Sequence, residues 1–274
     1  MRRLGDRLGL VLRGAAFVLV LAILLLPVAT SLVLSFDARA YIGPMPPSEW
    51  SLRWYKSFLT SPQYIDGLGW SLLVCVVAVL LSTAAGVMAA LYLHENRFRG
   101  RDLMLSVFLS PLVIPQVVVG FGLLITTAAL GIGSPFFRLV AAHLIIVMPF
   151  TIRLTLVGLD GLRKNVVEAA MTLGARPTAV FWQVKFPLIR PGIVASMIFA
   201  ASVSMGENAA SVFLAGNRLR TLPLALMSDM RNNFNLTIAA TSGVLVLVTV
   251  AAVVLLDRLV GLERITGRGT YGKF

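Results

Sequence analysis

The amino-acid sequence predicts an all-α integral membrane protein with six transmembrane helices and both termini in the cytosol. Composition is the first reason. Of 274 residues, 58% are apolar and 13% charged, with a mean hydropathy of +0.88, against about 45–50% apolar and about 25% charged in a soluble domain. So few charges cannot cover a water-facing surface, and disorder requires low hydrophobicity; both classes are excluded. Patterning is the second reason. Six apolar stretches, 14–36, 69–93, 103–130, 136–157, 192–214 and 237–256, are each long enough to cross a bilayer core, which takes about 20 helical residues. None alternates with period two as a barrel strand would, and backbone in hydrocarbon must satisfy its own hydrogen bonds, so the spans are helices. The third reason is the placement of charge.

The first stretch follows Arg2, Arg3, Arg7 and Arg13, as a signal peptide would, and Ala38-Arg39-Ala40 offers a cleavage pattern. Its apolar run exceeds the 7–15 residues of a signal core, so it reads as an uncleaved helix after a cytosolic N-terminus, 1–13. Residues 37–68 form an external polar segment with Pro44, Pro46, Pro47, Trp50, Trp54 and Tyr55, an interfacial stretch with aromatic anchors. A five-helix core, 69–259, contains a cytosolic loop at 159–191, and 260–274 is a cytosolic tail. With this topology the inside segments carry 16 of the 24 Lys and Arg, the bias that sets membrane orientation. The net charge of +12 is therefore a topology signal and no nucleic-acid partner is implied. The single Cys75 forbids an internal disulfide and sits in an apolar run as a packing residue.

The cytosolic loop is the most informative segment. Asn165 can cap a helix, with Glu168 three residues on reaching back. Gly174 suits the left-handed position that ends a helix, and Pro177 the first turn of the next. Ala169 and Ala170 leave a flat surface for close approach, and Phe181, Trp182 and Val184 present bulky apolar groups. By composition alone this could be an interfacial helix on the membrane surface.

The order of residues says more. Glu168-Ala169-Ala170, Gly174, Val184, Phe186 and Pro187 resemble the signature loop of type I ABC importer permeases. Val184 and Phe186 stand where Ile and Leu are commoner, and Arg176 where many relatives have a Ser cap. The resemblance covers helices two to six and implies the type I ABC importer permease fold in a bacterial-type inner membrane. It also implies a second permease subunit, usually a paralogue in the branch resembled, two cytosolic ATPase subunits and a solute-binding protein. ATP and magnesium would sit on the ATPase subunits, with no cofactor in this chain. Carried over by motif, Glu168, Ala169, Ala170, Gly174, Ala175 and Pro187 belong to the coupling element that docks on an ATPase, and transport would proceed by alternating access.

Other motifs carry less. Gly267-Arg268-Gly269-Thr270-Tyr271-Gly272-Lys273 has the spacing of a phosphate-binding loop, but lacks the Ser or Thr for magnesium and the strand and helix around it. It reads as a basic juxtamembrane tail. His94, His143 and Cys75 assemble neither a metal site nor a catalytic triad, so no catalytic residue is assigned. The rival classes are a secondary ion-coupled transporter, for which only Glu207 stands inside a span, and a membrane-embedded enzyme, which has no catalytic set.

Polar and kinking residues inside spans are pathway candidates. Pro111 and Pro115, four apart, remove backbone donors and bend the third helix, freeing carbonyls towards a cavity beside Gln116; a kink serving packing alone is the alternative. This proline-rich form resembles the polyamine, phosphonate and ferric-iron branch of the family. Glu207 and Asn208 interrupt the fifth helix, Glu207 about 22 Å of rise beyond Gly192. It either lines the pathway or forms a structural ion pair with Arg138 or His143. Polyamine permeases resemble Ser-Phe-Asp-Glu-Phe here, and Gly206 in place of the Asp shifts the likeness towards phosphonate and ferric-iron members. Thr221-Leu222-Pro223-Leu224 also recurs in the family and suits the outer mouth.

Overall fold

The computed structural model describes residues 2–41, 43–162, 164–216, 219–232 and 235–260. Among them the fold is helical, with one isolated β-bridge between Asp37 and Trp50. Among the described residues, five helices are long and apolar enough to cross a membrane. Residues 101–129 make a sixth if the bent pair they form is one span. The chain divides into two compact units, Met1–Ile65 with Leu226–Val246, and Asp66–Ala225 with Leu247–Phe274.

In the first unit, α1 (Arg2–Leu34) is exposed on every face from residue 12 to 29, as expected of an apolar helix surrounded by lipid. The segment after it is folded. Asp37 is buried, its carboxylate held by the side chain and amide of Arg39, while its carbonyl accepts from the Trp54 indole at 2.7 Å. Trp54 therefore lies on α2 (Arg53–Thr60) as a core residue beside Leu236 and Ala240, not as an interfacial anchor. Its partner in that expectation, Trp50, is exposed. Phe58 stacks on Tyr64, and the Tyr64 hydroxyl donates to Asp229.

The second unit holds most of α3 (Pro62–Glu95), which begins seven residues before the predicted second span. It is followed by α4 (Arg101–Leu109), a 3₁₀ turn at Ser110–Leu112, α5 (Gln116–Ala129) and α6 (Pro135–Asp160). Ser134 caps α6 by accepting from the Phe137 amide. Then come α7 (Lys164–Thr172), α8 (Pro177–Val180), a π turn at Phe181–Lys185, α9 (Phe186–Gly206) and α10 (Ser211–Leu214). Helices α6 and α9 form the broadest pairing. Small residues permit it, as expected where helices associate by close packing in lipid. Gly86 on α3 likewise leaves room for Thr151 on α6, whose hydroxyl donates to the Ser82 carbonyl at 3.0 Å. One core gathers Val74, Leu139, Ala142, Ile146 and Leu214; another gathers Ala90, Leu159, Ile189 and Ile193. The chain continues through α11 (Leu222–Asn232) and α12 (Thr237–Val260), each of which has residues in both units.

Two predicted spans are interrupted. Residues 103–130 do not form one helix: α4 with its 3₁₀ turn and α5 meet at 102°. Residues 192–214 do not either, because α9 ends at Gly206 and α10 is separate. The phosphate-loop-like tail at 267–273 lies outside the described residues.

Candidate functional site

Three places in the second unit hold the residues singled out by sequence. The first is the loop at 159–191. Helix α7 begins at Lys164, so Asn165 lies within it and not at its cap. Its end is closed by a Schellman arrangement. Gly174 stands at φ +83°, its amide donating to the Met171 carbonyl at 2.9 Å, and the Ala175 amide donates to the Ala170 carbonyl at 3.1 Å. Only a residue without a β-carbon takes that conformation at no cost. The interval from Glu168-Ala169-Ala170 to Gly174 is thus the end of one short helix and its cap. Glu168 and Ala169 are exposed, Leu173 is 88% exposed, and no described side chain of α7 is buried.

Pro177 starts α8 after an extended Arg176, as expected of proline at a first helical position. The expected second short helix is not free-standing, however. It runs through the π turn into α9, making one helical stretch Pro177–Gly206. Pro187 accounts for the turn: it has no N–H to bond the Gln183 carbonyl, and the Phe186 amide reaches back five residues to Phe181 instead. Phe181, Trp182 and Phe186 cluster there, with ring centroids 5.0 to 6.3 Å apart.

The second place is the break between α4 and α5. Pro111 lies in the 3₁₀ turn and Pro115 is the extended N-cap of α5, at φ −55° and ψ 132°. The segment is open: Val113 is 86% exposed, Ile114 and Pro115 are exposed, and Gln116 is half-buried. Two missing amides four residues apart do more than kink the helix; they end it.

The third place is the gap between α9 and α10. Glu207 is 3% exposed. One carboxylate oxygen accepts from the Ala210 amide at 2.7 Å; the other accepts from the Ser211 amide at 3.1 Å and from the Ser211 hydroxyl. Glu207 thereby satisfies amides at the start of α10 that no helical bond reaches. Asn208 is half-buried beside it. His143 of α6 completes the cluster, with Nδ1 2.8 Å from the Ser204 hydroxyl, Nε2 3.1 Å from the Ser211 hydroxyl and 3.7 Å from the Glu207 carboxylate. Arg138 does not take part; its guanidinium donates to the Ile132 carbonyl at 2.6 Å. Ser204 falls in the polar interruption of the fifth helix, but the contact of both serines with His143 escapes sequence reading, because it joins residues more than sixty positions apart, a separation with no periodic signal. Among the described residues no group of three His, Cys, Asp or Glu side chains lies together as a metal site.

The signature of the family described as binding-protein-dependent transport system inner membrane component matches residues 82–262. The chain is 31% identical over 193 residues to PotI of Escherichia coli (strain K12), a putrescine transport system permease protein, covering 68% of this chain and 69% of that one. It is 31% identical over 246 residues to PhnV of Salmonella typhi, a permease protein assigned to a 2-aminoethylphosphonate transport system, covering 89% and 92%. To PotC of Shigella flexneri, a spermidine/putrescine transport system permease protein, it is 24% identical over 262 residues, covering 96% and 98%. Its fold matches a chain of the bacterial alginate ABC transporter with a TM-score of 0.74 at 16% identity over 97% of both chains.

Proposed function

The chain belongs to the family of binding-protein-dependent transport system inner membrane components, and from that premise we propose how it works as the multi-pass permease subunit of an ABC importer in a bacterial inner membrane. Six spans cross with both termini cytosolic, residues 1–13 and 260–274 inside, 14–36 the first span, 37–68 outside, and 69–259 the core with its loop at 159–191. Energy enters from two separate ATPase subunits that carry the ATP and magnesium. A second permease, a paralogue, completes the pathway, and a solute-binding protein delivers from outside.

The observation that carries the coupling role is the shape of α7. It is a short helix with no buried side chain among its described residues, ending in a left-handed glycine beside an exposed leucine. Such a helix has little to hold it unless another protein covers it. Glu168, Ala169, Ala170, Gly174 and Ala175 form the docking surface, and Pro187 sets the π turn behind it. ATP-driven closure of the ATPases would draw the docking helices together and alternate access to a central cavity. Pro111, Pro115 and Gln116 at the helix break, with Glu207 and Asn208 at the second gap, border that pathway. The open break between α4 and α5 leaves backbone carbonyls free where a polar solute needs them. Putrescine, spermidine and 2-aminoethylphosphonate, named for the relatives, share a primary ammonium on a short carbon chain, and we assign the solute to that class.

The test is Gly174→Asp. A β-carbon at Gly174 meets nothing within 4 Å, and the left-handed backbone costs Asp and Asn alike about 1–2 kcal/mol at most, so the two variants share a shape and differ by one charge. Gly174→Asp should insert normally and lose ATPase co-purification, because docking would bury an unpaired carboxylate, whereas the uncharged Gly174→Asn should retain it. Undiminished co-purification of the Asp variant would overturn the docking role.

A further inference from the structure

Helix α7 has α8 and the π turn as its main neighbours, the π turn continues into α9, and α9 lies on α6. A displacement of α7 therefore reaches α6 and α9 through the backbone. Helix α3 packs on both through Ala90 and the Thr151–Ser82 hydrogen bond, and one polar side-chain contact ties its end directly to the π turn. Lys185, the last residue of the π turn, is ion-paired with Glu95, the last residue of α3. That end of α3 is in turn tied to its neighbours: His94 Nε2 lies 3.6 Å from the Asp160 carboxylate at the end of α6, and the Arg101 side chain donates to the Leu93 carbonyl at 2.7 Å, joining α4. The pair bounds an open cleft of about 1240 Å³ between α7 and the α3–α4 turn, lined also by Arg97, Arg99, Glu168 and Met171. Nothing else on the cleft walls bridges the two sides among the described hydrogen bonds and ion pairs.

We infer that Lys185–Glu95 is the positioning contact that carries displacement of the docking helix into α3 and the α3–α4 turn. The inference rests on the proposed docking role of α7. The side chains are 19% and 45% exposed, so the pair adds little to stability; its contribution is to hold two elements in register. The π turn matters to this, because its extra residue rotates the chain beyond it by about 100° relative to a continuous α-helix, and Lys185 sits at its end.

The experiment uses the permease assembled with its partner permease and ATPase subunits in lipid nanodiscs. Spin labels are placed at Asn96→Cys, beyond α3, and Thr178→Cys, on α8, both exposed; the native Cys75 is buried. Distances are measured without nucleotide and with ATP and vanadate. In the wild-type background the 96–178 distance should be the same in both states. In Glu95→Lys or Lys185→Glu the population at that distance should fall about two- to fivefold relative to the splayed one, the factor a half-exposed pair supplies. The double swap should restore it, and 1 M KCl, where screening acts within about 3 Å, should reproduce the single-variant result in the wild type. Unfolding temperatures and ATPase co-purification should not move, which separates positioning from folding. A wild-type distance that changes on trapping, single variants with the wild-type distribution, or a swap that fails to restore it would each overturn the inference. Failure of the docking role would show instead as undiminished ATPase binding by Gly174→Asp, a separate readout.

Discussion

Gly192 of α9 crosses Gly158 of α6 so closely that a β-carbon on Gly192 would lie 2.9 Å from the Leu154 carbonyl oxygen and 3.2 Å from the Gly158 Cα. Both neighbours are backbone and cannot turn aside. Gly192→Val should therefore separate the pair and cost about 1–3 kcal/mol, the range for overpacking. Gly158→Ala, whose added carbon would meet atoms no nearer than 3.5 Å, should be near neutral. Thermal unfolding in detergent, read for both, checks the contrast.

Glu207→Gln keeps the shape of the α10 cap and removes one of its acceptors. Three donors converge on the carboxylate, and an amide offers one oxygen and a pair of N–H groups that oppose them. The penalty should be about 1–3 kcal/mol, that of a buried donor left unmet. Hydrogen exchange at the Ala210 and Ser211 amides should accelerate; unchanged protection would mean that the cap is not what holds α10.

Pro111→Ala with Pro115→Ala restores two amides and relieves about 3 kcal/mol of helix penalty at each site. The expected outcome is straightening of the 102° bend. From helical rise, the separation between exposed Leu103 and Leu130 should grow from about 25 Å to about 40 Å, measurable with spin labels at the two positions. An unchanged separation would assign the bend to tertiary packing.

The fold around Asp37 should loosen in acid. The Arg39 guanidinium, hydrogen-bonded to Asp37, holds that carboxyl below its ordinary value against the opposing effect of burial, with help from the Arg39 amide. A carboxylate with a depressed folded value stabilises fully above its unfolded value, about 3.9, and loses that contribution as pH falls through the folded one. Fluorescence of a variant retaining Trp54 as its only tryptophan should hold steady from neutral pH to about 5 and shift below about 4. Asp37→Asn should be weakened at neutral pH and lack that acid transition.

How much of this was legible depends on distance along the chain. Apolar length and charge bias are summed over contiguous residues, and α1, α6 and α12 fall close to the predicted spans. Gly174 and Pro177 act on their own backbone, so the end of α7 and the start of α8 could be read from residue type alone. The prolines of the third span announced a disturbance but not its size. Apolar Ala209, Ala210 and Val212 carry the fifth predicted span past Gly206, although Glu207 ends the helix by turning back onto amides three and four residues ahead.

By itself, then, the sequence determined a helical membrane protein, its apolar spans, and the short capped helix whose order of residues marks the family. The tertiary structure alone decided which polar groups meet. His143 with Ser204 and Ser211, and Lys185 with Glu95, are joined across 61, 68 and 90 positions. The physical reason is that hydrophobic length and backbone preference are local properties, whereas a side-chain contact between helices depends on how each helix is rotated and where it ends. Here those ends are set by prolines, a π turn and a buried carboxylate, and the contacts follow from them.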